Sequence, residues 1–181
     1  MEFAKLLNYD LNLRLNTDNL ISKEMLNVRY GEEVNGEFKG ISYYHIPKKL
    51  EKKILNIFKL KGDFEVQLMV ITNDEIPPHI DSNATVSINY YIKTCGNTVT
   101  SFYESNNEST IIKINNQTDG YILDKSNLIE TFSFIAKENE VWILNIKKPH
   151  SVKCEKENET RIAITIQSYS LSYTDTLKLV R

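Results

Sequence analysis

The stretch "TRIAITIQ" at residues 160–167 has the period-two alternation of a β-strand with two different faces. One face carries Arg161, Ala163 and Thr165, and the other carries isoleucine at positions 162, 164 and 166. An arginine beside alanine and threonine leaves room for a small anion next to a guanidinium that can bind a carboxylate through two hydrogen bonds. The alternative is an ordinary arginine at a strand start, paired with a nearby glutamate such as Glu157 or Glu159.

Further strands are predicted from residue 64 onward, where short segments are rich in β-branched and aromatic residues and bounded by Asn, Asp, Gly or Pro. Seven or more strands at this spacing favour a sandwich, jelly roll or barrel over an open sheet. "NNQTDG" at 115–120 is predicted to be a loop between two of them. The other segments are "FEVQLMVI" (64–71), "TVSINYYI" (85–92), "TVTSFYE" (98–104), "STIIKI" (109–114), "IETFSFIA" (129–136) and "EVWILNI" (140–146).

The N-terminal third differs from this β-rich body. "PKKLEKKILNIFKLKG" at 47–62 predicts an amphipathic helix, with Pro47 in its first turn and Gly62 at its stop. Its lysines are interpreted as the solvated face, because no aromatic residues are interleaved to stack on bases. The polar stretch "GEEVNGEFKG" at 31–40 is predicted to be a turn.

Composition predicts one domain of 181 residues: an N-terminal helical and mixed support at 1–62, a β core at 63–170 and a C-terminal tail at 171–181. The net charge of −2 is too small and mixed to indicate a nucleic-acid partner. Neither a signal peptide nor a membrane span is recognised, so a cytoplasmic location is expected.

Cys95 and Cys154 form no C-x-x-C, which predicts free thiols in a reducing compartment. The sequence does not indicate an oligomeric state.

Three residues are candidate metal ligands. "PPHIDSN" at 77–83 contains His79 and Asp81, which point to the same side of an extended chain. His150 follows the apolar segment that ends in Pro149 and is expected at the exit of a strand. Two imidazoles and one carboxylate can occupy one face of an Fe(II) octahedron and leave three adjacent positions open. The alternative for the first pair is a surface loop with an Asx turn, and the third histidine, His45, is interpreted as structural.

From about residue 64 to 167 the chain resembles the Fe(II)/2-oxoglutarate-dependent dioxygenases, in particular their prolyl-hydroxylase-like branch. The motifs occur in that branch's order: H-x-D, a Tyr-Tyr-aliphatic strand, a distal Pro-His, then Thr-Arg-x-Ala-Ile-Thr. The resemblance implies a mainly β double-stranded β-helix, or jelly roll. It also implies that His79, Asp81 and His150 bind Fe(II).

The same resemblance implies how the cosubstrate is held and what the reaction does. Arg161 would form a salt bridge to the C5 carboxylate of 2-oxoglutarate, Tyr91 would hydrogen-bond that carboxylate, and Thr165 would line the pocket. Fe(II), 2-oxoglutarate and O₂, with ascorbate in support, would hydroxylate a C–H bond of an amino acid, a prolyl peptide or another small substrate, releasing succinate and CO₂. The alternative for Tyr91 is a core aromatic with its hydroxyl at the rim.

Two departures from the family bear on substrate specificity. "CGNTVTSFYE" at 95–104 replaces the usual Gly-Gly pair before its strand, and Met69 stands where a tyrosine is usual. Nucleic-acid-demethylating relatives carry a second arginine a few residues after the first. In this chain the next basic residue after Arg161 is Lys178, so that type of relative is disfavoured. Two rivals stay open: a cupin-like metal enzyme that does not use 2-oxoglutarate, and a non-catalytic jelly-roll module.

Overall fold

The computed structural model describes residues 3–11, 13, 15–21, 25–72, 75–105, 111–113, 120–156 and 159–180. Within them the helices are α1 (Thr17–Ile21), α2 (Lys48–Ile57) and α3 (Tyr173–Leu179), with a 3-10 turn at Lys125–Asn127. The strands are β1 (Ala4–Leu7), β2 (Met25–Val34), β3 (Glu37–His45), β4 (Phe64–Ile71), β5 (Glu75–Asp81), β6 (Val86–Lys93), β7 (Val99–Ser105), β8 (Ile111–Lys113), β9 (Gly120–Leu123), β10 (Leu128–Ile135), β11 (Val141–Leu144), β12 (His150–Lys153) and β13 (Arg161–Ser168).

The described strands form two antiparallel sheets that face each other. The larger sheet has the order β1-β11-β6-β13-β4-β3-β2, and the smaller sheet has the order β10-β7-β12-β5-β9-β8. Side chains from both sheets meet in one apolar cluster, the inner core, which includes Met69, Tyr91 and Ala163 from the larger sheet and Ile76 and Phe102 from the smaller. The prediction of a mainly β fold with facing sheets is therefore confirmed.

Strand β13 is buried along its whole length because both of its faces are covered. Its isoleucines at 162, 164 and 166 pack in a second cluster, the outer core, together with Ile54 and Phe58 from the α2 region and Leu177 from α3. Ala163, on the opposite face, belongs to the inner core. The inward face of β13 is buried although it also carries polar residues, namely Arg161, Thr165 and Gln167. The predicted division of the two faces is confirmed.

The N-terminal third contributes strands as well as helices. The stretch predicted to be a turn at 31–40 is part of a β-hairpin, in which β2 pairs with β3 and β3 pairs with β4. Asn35 and Gly36 form its turn with positive φ values of 52° and 80°. Asn-Gly is the pair that adopts this geometry most easily, so the turn prediction was right in place but missed both strands.

Helix α2 ends earlier than predicted, at Ile57 instead of near Gly62. Lys59 takes a left-handed conformation with φ 55°, and the Leu60 amide donates to the Leu55 carbonyl at 2.9 Å. This is a Schellman-type ending with lysine in the position that glycine usually takes. Because Phe58 and Leu60 are buried, packing of these two side chains outweighs the preference for glycine.

The C-terminal segment, expected to be a tail, is helical and covers the core. The Ser172 hydroxyl accepts a hydrogen bond from the Asp175 amide at 3.1 Å and so caps α3. Tyr173, Leu177 and Val180 are buried in the outer core. No helix in the described part of the chain combines the length and apolar character that a membrane crossing requires.

The two cysteines are joined, which corrects the expectation of free thiols. A disulfide links Cys95, in the loop after β6, to Cys154, directly after β12. Both residues are buried, and the Thr98 hydroxyl lies 3.0 Å from the Cys95 sulfur. Sequence reasoning missed the pair because the cysteines are far apart and lack a motif. The cysteines therefore do not indicate a reducing compartment.

We expect the disulfide to stabilise the fold substantially. Its cysteines are separated by 59 residues, and loop-closure entropy for such a length corresponds to about 4 kcal/mol. Reduction should lower the free energy of unfolding in urea by roughly that amount. The Cys95→Ser, Cys154→Ser double variant is the control and should be insensitive to reductant. Two titratable thiols in the non-reduced, denatured protein would contradict the bond.

Candidate metal centre and adjoining cavity

His79, Asp81 and His150 come together at the ends of two paired strands. His79 and Asp81 lie two residues apart on β5, with His79 Nε2 and Asp81 Oδ1 3.9 Å apart. His150 is the direct cross-strand partner of His79, and their ring centroids are 4.2 Å apart. One ligand atom from each of the three residues lies within 4.8 Å of the others. Small side-chain rotations would bring all three onto one ion.

Backbone hydrogen bonds fix both imidazole rings with the same nitrogen facing the cluster. Nδ1 of His79 lies 2.8 Å from the Pro77 carbonyl, and Nδ1 of His150 lies 2.9 Å from the Lys148 carbonyl. A carbonyl only accepts, so Nδ1 carries a proton in each ring and Nε2 is the nitrogen that remains to bind an ion. Outer hydrogen bonds of this kind orient metal-binding histidines. Burial, with a smaller contribution from His79, lowers the pKa of His150 to about 3 against the raising effect of its backbone hydrogen bond, so its ring is neutral at pH 7.

The backbone around Asp81 is also held in place. The Asp81 amide donates to the Ile146 carbonyl at 3.2 Å. Lys147 donates its ammonium to the carbonyls of Asp81 at 3.0 Å and Ser82 at 2.6 Å. These bonds hold the segment before His150 against the segment that follows His79.

His45 lies elsewhere, at the end of β3, with an exposed side chain. It is not part of the described metal-ligand cluster. The interpretation of His45 as a structural residue stays a prediction.

Arg161 is the most deeply buried charge near this cluster, with 1% of its surface exposed. Its two terminal nitrogens each lie 3.4 Å from the Thr100 hydroxyl, and Nε has no hydrogen-bond partner. The guanidinium carbon lies 4.5 Å from the centre of the Tyr91 ring. No carboxylate of the described residues forms an ion pair with it. Of the alternative partners, Glu159 pairs with Lys156 at 3.4 Å, and Glu157 lies outside the described residues.

The strand register relates Arg161 to the metal cluster. On β7, Thr100 and Phe102 are two residues apart, and they pair with Val152 and His150 of β12. Two residues of an extended strand span about 7 Å on one face. The guanidinium bound to Thr100 therefore lies about one such step from His150 along the space between the sheets.

Tyr91 and Thr165 are joined by a chain of hydrogen bonds on the inner face. Ser87 donates to the Asn89 side-chain carbonyl at 2.7 Å, so the Thr165 hydroxyl must donate in its 2.8 Å contact with Ser87. Asn89 in turn donates to the Tyr91 hydroxyl at 3.4 Å. The Tyr91 hydroxyl therefore accepts a hydrogen bond from Asn89, and its own hydrogen has no acceptor among the described residues.

A cavity of about 90 Å³ connects these groups. Tyr91 and Arg161 line it together with the three candidate ligands, whereas Thr165 sits behind Ser87 and does not reach the lining. Sequence reasoning missed Ser87, Asn89, Thr100 and Gln167. Each of them is a polar residue on the inward face of its strand, and this position in the alternation is the sequence signal that could have identified them. The other lining residues are Ile41, Tyr43, Met69, Ile71, Ile76, Pro77, Gly120, Ile122, Leu144, Ile146 and Val152.

The tyrosine that is absent at position 69 has a counterpart on the neighbouring strand. Tyr43 of β3 is the cross-strand partner of Met69, and its hydroxyl lies 3.5 Å from the Met69 sulfur. Both side chains are buried and line the cavity. A phenol hydroxyl is therefore supplied to the same region from a different strand.

Comparison with solved structures identifies the architecture. A prolyl hydroxylase from Trichoplax adhaerens, in complex with a hypoxia-inducible-factor peptide, superposes with TM-score 0.51 at 13% identity over 92% of this chain and 83% of that chain. Escherichia coli ycfD superposes with TM-score 0.55 at 7% identity over 98% and 52% of the two chains. The fold is a jelly roll.

Sequence comparison adds no family. No family model and no curated protein matches the sequence. Oxalate decarboxylase is also similar in structure, at TM-score 0.43 and 13% identity over 84% of this chain. The chain spans only 29% of the length of that enzyme. At these identities the comparisons establish the fold alone.

We expect Mn(II), a stable substitute for Fe(II), to raise the melting temperature by about 5 °C at 100-fold excess over Kd. His79→Ala should weaken Mn(II) binding by more than about 100-fold, because it removes one of three ligands. His45→Ala is the matched control and should bind Mn(II) like the wild-type protein. Calorimetric titration measures both. Equal loss of binding in the two variants would contradict the assignment.

Proposed function

We propose that this protein is an Fe(II)- and 2-oxoglutarate-dependent oxygenase that hydroxylates a C–H bond of a small-molecule or peptide substrate. The observation that carries the proposal is Arg161. It is a buried guanidinium without a carboxylate partner among the described residues, and it lines the same cavity as the His-Asp-His cluster.

The three candidate ligands fit Fe(II) by their chemistry. Two neutral imidazoles and one carboxylate on one side of an ion form the facial set typical of non-haem Fe(II) oxygenases. The cluster contains no thiolate, and the two cysteines are joined to each other away from it. The ligands lie on strand ends beside the cavity, so the remaining coordination positions would face a space that a cosubstrate can enter.

Arg161 fits the far end of a short dicarboxylate. A buried charge without a partner is costly, so this guanidinium favours binding of an anion. A carboxylate placed there could accept hydrogen bonds from the guanidinium and also from the Tyr91 hydroxyl, whose hydrogen is free within the described structure. With the guanidinium about 7 Å along the strand direction from His150, one small molecule could bind the ion with its 2-oxo acid end and Arg161 with its other end.

The surroundings of this cosubstrate position are apolar. Ile41, Ile71, Ile76 and Val152 line the cavity near Arg161. Such walls exclude water and strengthen the attraction between the guanidinium and a carboxylate. When bound, Fe(II) would supply the oxidative chemistry in which 2-oxoglutarate, O₂ and a C–H substrate become succinate, CO₂ and the hydroxylated product.

The comparisons support this proposal at the level of fold. The similar structures include a prolyl hydroxylase bound to a peptide, a precedent for peptide substrates on this architecture. A cupin-like enzyme that does not use 2-oxoglutarate would also bind a metal, but it would have no need for the buried Arg161. The affinity of the protein for a 2-oxoglutarate analogue therefore separates the two functions.

N-oxalylglycine should bind the Mn(II)-loaded protein and raise its melting temperature further. Arg161→Lys should weaken this binding by at least about tenfold, because an ammonium cannot form the two parallel hydrogen bonds of a guanidinium. Mn(II) affinity should be unchanged, since Arg161 is not a ligand. If N-oxalylglycine neither binds nor stabilises the metal-loaded protein, the oxygenase proposal fails. Succinate formation and O₂ uptake with Fe(II) and ascorbate, abolished by Asp81→Ala, test the reaction itself.

The unpaired guanidinium also predicts an unusual stability effect. Arg161→Met removes the buried charge and should raise the free energy of unfolding of the ligand-free protein by about 1–2 kcal/mol. Arg161→Lys retains the charge and should give no such gain. Urea unfolding without added anions measures both variants. Strong destabilisation by Arg161→Met would instead indicate a structural ion pair.

A further inference from the structure

The cavity has two chemically different ends. Arg161 and Gln167 are six residues apart on β13, which corresponds to about 20 Å along the strand. The Arg161 end is apolar apart from the guanidinium itself and its Thr100 and Tyr91 contacts. The other end lies on the Asp81 side of the cavity: the Asp81 amide bonds to the Ile146 carbonyl, and Leu144, two residues earlier, pairs with Ser87, the partner of Gln167.

Gln167 is an unsatisfied buried acceptor at this second end. Its side chain lines the cavity and is 3% exposed, and Oε1 has no hydrogen-bond partner. Buried polar atoms normally have partners, so an orphaned one calls for a physical reason. Ser87 and Asn89 also line this end, but their hydrogen bonds to Thr165 and Tyr91 are already formed.

Charged partners are lacking at the Gln167 end. Among the described lining residues the only charged group there is Asp81, which is a candidate metal ligand. Glu65, opposite Gln167 on β4, hydrogen-bonds with Gln67 and Tyr169 and is not part of the lining. An anionic group placed here would be buried without a cationic partner among the described lining residues, and the nearby carboxylate of Glu65 is already engaged by Gln67 and Tyr169.

We propose that this end binds a neutral group of the substrate that carries an N–H or O–H donor, typified by a carboxamide. Gln167 Oε1 accepts the hydrogen bond, and Ile122, Leu144 and Ile146 contact the carbon body of the substrate. The assignment rests on the proposed oxygenase function, since that function leaves this end of the cavity for the substrate. It disfavours a free amino acid bound here through its ammonium or carboxylate.

Four probes of nearly equal size test the chemistry: butyramide, 2-pentanone without the donor, butyrate and butylammonium. Each is titrated by ligand-observed NMR into metal-free protein and into protein loaded with Zn(II) and N-oxalylglycine. In the loaded protein, where N-oxalylglycine occupies Arg161, butyramide should bind at least about tenfold more tightly than 2-pentanone and more tightly than either charged probe. In the metal-free protein butyrate is left out of the comparison, because Arg161 is free to bind its carboxylate. An acetylated, amidated Ala-Pro-Ala peptide shows whether the amide is accepted from a peptide or only from a small molecule.

Two matched variants locate the interaction. Gln167→Leu should reduce butyramide binding to the level of 2-pentanone. Gln67→Leu changes another buried glutamine with an unpartnered Oε1 that does not line the cavity, and it should keep the preference. Mn(II) titration of each variant reports on its folding. If Gln167→Leu fails to fold, the selectivity of the wild-type protein among the four probes decides.

The outcomes separate this inference from the proposed function. Absence of butyramide binding, equal or tighter binding of a charged probe to the loaded protein, or a preference unchanged in folded Gln167→Leu would overturn the inference. Failure of N-oxalylglycine to bind would overturn the oxygenase function instead, while the preference of the metal-free protein for butyramide over 2-pentanone and butylammonium still decides the chemistry of this end.

Discussion

Burial of β13 on both faces is the constraint on which the site depends. Its isoleucines must face the helices, because only that side offers the outer core formed with α2 and α3. The period of two then forces Arg161, Thr165 and Gln167 into the space between the sheets. A shift of register by one residue would bury the isoleucines against the metal cluster and press the arginine into an apolar core. The fold and the charge inside the cavity are thus fixed by the same alternation.

Much of this arrangement could be predicted from the sequence because it depends on local alternation and on short motifs. The strand character of most of the segments quoted from the sequence, the two faces of β13 and the convergence of His79 with Asp81 all follow from side chains two residues apart. Strands β5, β9 and β12 were not predicted. His150 was expected at the exit of the strand that precedes it, whereas it is the first residue of the next strand, β12. Its pairing opposite His79 is a long-range register that a single sequence does not show.

The features that the sequence did not predict have a common physical origin, because they depend on contacts between distant segments. The disulfide between Cys95 and Cys154 depends on two loops meeting at the same end of the barrel. Helix α2 ends at Ile57 because Phe58 and Leu60 are drawn into the core, which overrides the glycine signal at Gly62. Tyr43 reaches the cavity from β3, a strand whose first residues belong to the stretch at 31–40 that was interpreted as a polar turn. In each case tertiary packing outweighed local preference.

The direct pairing of His79 with His150 has a consequence for folding. An ion held by both rings and by Asp81 would act as one more rung of the ladder between β5 and β12, next to the irregular register that follows His150. It would close a long loop of chain without a covalent bond, as the disulfide does elsewhere with one. Occupancy of the site and the stability of the smaller sheet would then be thermodynamically linked, so that the availability of the metal ion would affect how firmly β5 and β12 are held together.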